Sequence, residues 1–168
     1  YPIEVGRSFR QTANTIDGTP ITNRAELMEI FTHYETMSET AAYIPHRLMS
    51  QAMGEADLLY KARKFGQVDT MWRKTRQDLM DTMADVNSSL ETVKAKLLAN
   101  AEKLTLKQRA AMEAVLERSS ASNAVRDATL LQDGQLLDDF FSLPKALRTP
   151  EEYTALRDYR NEIWTNYR

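Results

Sequence analysis

Residues 56–80, ADLLYKARKFGQVDTMWRKTRQDLM, decide how the rest of the chain is read, because they hold two amphipathic runs on either side of a lone glycine, Gly66. Leu58, Leu59 and Ala62 share one face before it. Val68, Met71, Trp72, Thr75 and Leu79 recur at three- and four-residue steps after it, the repeat of a helix with one buried side. Gly66 stands where a helix end takes the left-handed conformation, and Asp69 falls in the first turn of the following helix, where its charge suits the macrodipole. The stretch is predicted as a helical hairpin turning at Gly66, and a helical-hairpin unit sets the fold class.

Working outward, the second half of the hairpin runs into a heptad stripe of Leu79, Met83, Val86, Leu90, Val93 and Leu97, with a bend expected at Ser88-Ser89. Upstream, Asn23-Arg24-Ala25-Glu26 has capping-box spacing and opens a helix with Ala25, Leu27, Met28, Phe31 and Tyr34 on its face, ending near Met37. Ser38 is then read as the cap of a short segment that Pro45 interrupts, before a helix carrying Leu48, Met49, Ala52 and Met53. Downstream, Thr105-Leu106-Lys107-Gln108 is a second capping box, for a helix with Met112, Val115 and Leu116, expected to end in Ser119–Asn123. Val125, Ala128, Leu130 and Leu131 suggest a further short helix, and Leu136, Leu137, Phe140 and Phe141 form an apolar cluster before Pro144. Thr149-Pro150-Glu151-Glu152 marks the start of a last helix bearing Tyr153, Leu156, Ile163, Trp164 and Tyr167. Residues 1–22, punctuated by Pro2, Asp17-Gly18 and Thr19-Pro20, read as an extended arm. The predicted fold is all-α: an arm (1–22), an irregular array of helical hairpins (23–148) and a C-terminal aromatic helix (149–168), about six to eight helices in all.

Composition agrees. Only five glycines and five prolines occur in 168 residues, leaving little material for turns between strands. The 22 basic and 24 acidic residues leave a formal charge of −2, which gives no overall drive toward a polyanion. No apolar run approaches the roughly 20 residues of a membrane-spanning helix. Cysteine is absent, which excludes disulfides, thiolate metal sites and cysteine nucleophiles. The opening YPIEVGRSF has no signal-peptide core and fits either a mature chain freed of its leader or a truncated one.

No residues assemble a recognisable chemistry. His33 and His46 stand alone, and the Glu-x-x-His pairs of a di-metal bundle are missing. There is no nucleophile elbow and no glycine-rich phosphate loop. The expectation is a non-enzyme that takes no cofactor, metal or small-molecule ligand. Asp78, Asp81 and Asp85 share about one helical face, read as solvated acids rather than a cation site. Lys61, Arg63, Lys64, Arg73, Lys74 and Arg76 straddle the glycine with only Asp69 to offset them, a patch suited to phosphates or to an acidic protein. Met71, Met80, Met83 and Met112 are read as core filler. The residues singled out for partner binding are Arg63, Lys64 and Arg73 from this patch and Tyr153, Trp164 and Tyr167 from the aromatic helix, since aromatics and arginines anchor interfaces.

The hairpin resembles a pentatricopeptide-repeat unit: Leu58-Leu59 precede the glycine, Gly66-Gln67-Val68-Asp69 follows, and Leu79-Met80 closes the second helix. It departs from that pattern at Met71, where the family carries a small residue, and at Ala62, where it carries a tyrosine-like one. The stretches 24–52 and 106–141 are helix-turn-helix in outline. A short cysteine-free chain of this kind is similar to the pentatricopeptide-like accessory subunits of euglenozoan mitochondrial ATP synthase. The resemblance implies a non-catalytic protein of the matrix side, bound to protein subunits of the catalytic head. Two other readings stand beside it: an RNA-binding helical-repeat protein using the basic patch, disfavoured by the acidic balance and by repeats that read about one base each, and a bacterial helical adhesin or secretion-system component with the heptad helix as half of a long hairpin.

Overall fold

A computed structural model describes residues 2–142 together with Glu151 and Asp158. Among these residues there are four α-helices and no strand: α1 (Pro2–Gly18), α2 (Arg24–Lys61), α3 (Phe65–Ala99) and α4 (Leu106–Ser142), with a single 3-10 turn at Ala101–Lys103 before α4. The all-α class holds. Over the described residues the helices are fewer and longer than in an array of six to eight, because the residues expected to break helices there do not.

The starts follow the sequence. Asn23 Oδ1 accepts the Glu26 amide at 2.9 Å, and the Glu26 carboxylate reaches back one residue further than a standard capping box, to the Thr22 amide at 2.8 Å. At α4 the box closes reciprocally: the Gln108 amide donates to Thr105 Oγ1 at 3.2 Å and the Thr105 amide to Gln108 Oε1 at 3.1 Å.

The chain divides into two compact units. The first takes Tyr1–Tyr43 and Met80–Asp127, the second Ile44–Leu79 and Ala128–Arg168, so α2, α3 and α4 each contribute one segment to either unit. In the first unit the core is built from heptad-spaced stripes: Leu27, Ile30, Tyr34, Met37 and Ala41 on α2, and Met83, Val86, Leu90, Val93 and Leu97 on α3. The α3 stripe is buried as its periodicity predicts. Residues 2–18 are a helix, not an extended arm, and bury Phe9, Ala13 and Ile16 at the same four-then-three spacing. Small residues hide that stripe in the sequence: a Cβ on Gly6 would stand 2.9 Å from Asp85 Oδ2, so α1 and α3 approach closely there. Arg10 pairs with Asp85 at 3.8 Å and Lys96 Nζ donates to the Asp17 carbonyl at 2.9 Å; the contacts rise together along both helices, so α1 runs parallel to α3. Lys96 thereby supplies the cation that the last turn of α1 lacks.

Helix α4 runs antiparallel to α3 in this unit, with Lys94 bonded to Ser120 and Asn87 to Asp127. Met112 and Leu116 are the buried apolar residues among those described on α4. Beyond them its inner side is polar, which explains why Ser119–Asn123 does not end the helix: Ser119 donates to Ser38 Oγ at 2.9 Å, and the Asn123 side chain accepts from Arg126 at 3.2 Å. These side chains find partners on other helices and on α4 itself rather than competing for its backbone. At Ser88-Ser89 the helix also continues, by a different route: the Ser89 hydroxyl donates to the Asp85 carbonyl one turn back at 2.7 Å, a bond made inside an unbroken α3.

In the second unit α2 passes through Pro45 without ending. A proline in a helix interior costs about 3 kcal/mol. Ile44 and Leu48, each buried to 2% exposure, flank it, and burying such a side chain contributes about 1.5–3 kcal/mol, so the stripe outweighs the lost bond. Residues 24–52 and 106–141 each lie within one helix, α2 and α4, and are not helix-turn-helix units.

Candidate functional site

The turn between α2 and α3 lies at Ala62–Lys64, earlier than Gly66, and is set by an arginine rather than a glycine. Arg63 takes φ 58°, in the left-handed region. Its amide donates to the Tyr60 carbonyl at 3.0 Å and the Lys64 amide to the Leu59 carbonyl at 2.9 Å, the two bonds of a Schellman motif that satisfy the last carbonyls of α2. A side chain in this conformation costs about 1–2 kcal/mol that a glycine would not. Gly66 instead sits in the first turn of α3, with negative φ and open space where a Cβ would be.

The register of α2 also differs from expectation. Met49, Ala52, Met53, Ala56 and Tyr60 are the buried residues leading to the turn, matched by Val68, Trp72 and Leu79 on α3. Leu58, expected inside, is 67% exposed, Ala62 is exposed, and Leu59 is half-buried. Two adjacent leucines offer two registers; Ala56 and Tyr60, four apart, continue the stripe through Ala52, and that stripe turns Leu58 outward. Met80 is exposed too, and Met71 is half-buried, so of the four methionines read as core filler only Met83 and Met112 are fully buried.

The result is a basic hairpin tip with an apolar residue on it. Lys61, Arg63, Lys64, Arg73, Lys74 and Arg76 are all exposed, whereas Asp69, the carboxylate between them, is buried and pairs with Arg73 at 3.2 Å. Lys61 pairs with Asp57 at 2.9 Å. Among the described residues Arg63, Lys64 and Lys74 hold no ion pair. Arg63 and Lys64 stand just before α3, whose first turn contains no acid, so positive side chains face the positive end of a helix. One turn before Leu58 on the same exposed side, Gly54 lies inside α2 with nothing within 4 Å of an added Cβ. A glycine in a helix interior is about 1 kcal/mol worse than alanine, and no neighbour within the described residues requires it.

Of the residues singled out for partner binding, the structure places Arg63 and Lys64 together at the tip and Arg73 two turns along α3, engaged with Asp69. Tyr153, Trp164 and Tyr167 lie outside the described residues. Leu58 and Gly54 are the members that sequence reasoning missed; the signal was the conflict between the Leu58-Leu59 register and the heptad arriving from Ile44 and Leu48.

Elsewhere, Asp85 of the acidic trio faces Arg10, and His33 and His46 are exposed. Among the described residues no helix is long and apolar enough to cross a membrane, and no three His, Cys, Asp or Glu side chains group as metal ligands would. No family model, curated protein or solved structure matches the chain.

Proposed function

We propose that this chain is a non-catalytic helical subunit of a multiprotein assembly and that the α2–α3 tip is one of its docking elements. The observation that carries this reading is the combination at the tip: exposed Leu58 near the end of α2, followed in the turn by exposed Arg63 and Lys64, which hold no ion pair among the described residues. A few residues carry most of the energy of an interface, and arginine is among the types enriched there. The resemblance of residues 56–80 to a pentatricopeptide unit names the assembly to test, the catalytic head of mitochondrial ATP synthase; that part of the proposal rests on the sequence alone.

Native purification of the tagged chain is the test. Recovery as a stoichiometric member of a large complex supports the reading, and ATP synthase subunits in that complex support its finer part. Recovery as a free monomer, or with RNA released by raised salt, overturns it.

One observation favours a second reading. Helices α2 and α3 are long, 38 and 35 residues, and carry heptad stripes, as the long helices of a bacterial helical adhesin or secretion-system component would. A bacterial gene for this sequence would favour it over the mitochondrial assembly.

A further inference from the structure

Building on the docking reading, we propose that the hairpin tip takes an acidic amphipathic protein segment, whose apolar side chain covers Leu58 near Gly54 while its carboxylates meet Arg63 and Lys64. The charge argument commits to an anion. Arg63 and Lys64 sit at the positive end of α3 with no acid in its first turn, and the nearby Asp69 is withdrawn into the core. Bringing carboxylates to this spot relieves a repulsion that the free chain carries.

The apolar contact commits to a protein. Leu58 is 67% exposed and lies one helical turn from Gly54, where the absent side chain lets another backbone or side chain come close to α2. A phosphate backbone has no apolar group to set against a leucine, and the chain's net charge of −2 works against a long polyanion. A bilayer surface calls for a broad apolar face, and here one leucine stands between the acids Glu55 and Asp57 on α2 and the cations of the turn. An acidic helix or extended segment with a single apolar anchor satisfies both halves of the site.

The test uses the full chain and four probes followed by fluorescence anisotropy: a helical peptide with a leucine stripe flanked by glutamates, the same peptide with lysines for glutamates, a single-stranded RNA oligonucleotide, and phosphatidylserine vesicles. The glutamate peptide should bind, more weakly as salt is raised. Arg63→Glu with Lys64→Glu should weaken it about tenfold or more, as expected when attraction becomes like-charge repulsion. Leu58→Ser should weaken it several-fold with little change in the salt dependence. Both variants alter exposed positions, and their unchanged melting curves would exclude a folding defect. Tighter binding of RNA or vesicles than of the glutamate peptide, no binding of that peptide, or indifference to either variant would overturn the proposal. The docking reading fails separately: if the native chain still enters a complex while both tip variants enter it equally well, the subunit reading survives and the tip assignment falls.

Discussion

Within the first unit, α3 meets its neighbours through two different chemistries. Toward the core it presents Met83, Val86, Leu90, Val93 and Leu97, none more than 4% exposed, while α2 buries Leu27, Ile30, Tyr34, Met37 and Ala41. Toward the second half of the unit's α4 segment it offers Asn87 and Lys94, which bond Arg126, Asp127 and Ser120. Arg126 is the centre of that lock. It donates to Asn87 Oδ1 at 2.6 Å, Asn123 Oδ1 at 3.2 Å and Asp127 Oδ1 at 3.0 Å, with its side chain only 11% exposed. An apolar stripe tolerates sliding by a heptad at little cost in area; a guanidinium with named partners does not. The difference teaches a division of labour: the apolar stripes supply stability, and the polar lock fixes where α4 sits along α3.

The strongest way to break that contrast is Leu90→Asp, which places a carboxylate in a fully apolar seam. The charge must either stay buried unpaired or be neutralised. Cooperative thermal unfolding should be lost or displaced downward by tens of degrees. A wild-type melting curve would show that the stripe does not carry the unit.

Arg126→Ala leaves Asn87, Asn123 and Asp127 short of a donor and should cost about 2 kcal/mol by urea denaturation, the range for hydrogen bonds to a charged group. The sharper experiment is Asn87→Leu with Arg126→Leu. If the lock gives placement rather than stability, this pair should be near neutral in overall stability while amide exchange along residues 117–127 speeds up relative to 83–97. Equal losses in the single and the double variant would make the lock a source of stability after all.

Asn23→Ala removes the acceptor for the Glu26 amide and should destabilise by about 1 kcal/mol, a measure of how much a polar contact is worth at an exposed helix end. The smallest effect lies outside both seams and calibrates them. Arg63→Gly removes the penalty of a left-handed arginine and should raise stability by about 0.5–1 kcal/mol, roughly 1–4 °C in a chain of this size. A fall in melting temperature would mean that the arginine side chain makes a contact the turn geometry does not reveal.

These contrasts also explain what the sequence made legible. The stripe from Leu79 to Leu97 and the Asn23 and Thr105 caps are local patterns of large apolar or capping residues, and they stand where the periodicity puts them. Helix α1 escaped notice because its buried side is thinned by Gly6 and Ala13, so that its closeness to α3 replaces side-chain bulk. Ser119–Asn123 looked like a loop because serine and asparagine favour non-helical backbone when left alone; here Ser38 and Lys94 on other helices engage the serines, and Arg126 one turn along engages Asn123. The site was legible as charge and illegible as shape: Arg63 and Lys64 were read as a patch, but the left-handed arginine, the outward Leu58 and the open Gly54 depend on which of two registers α2 adopts. That choice is made by residues spread over four turns.

The bond from Lys96 to the carbonyl of Asp17 spans 79 positions of the chain. At a synthesis rate of about 5–20 residues per second, roughly 4–16 s pass between the emergence of the last turn of α1 and that of the lysine that closes it. Over a similar interval Phe9, Ala13 and Ile16 have no α3 beside their helix, since α1 touches α3 at Asp85 and Lys96. The earliest of the described helices to be made is thus held open longest, a nascent apolar ridge beside a helix pair still being translated, and it is the segment on which a ribosome-bound chaperone would have the most time to act.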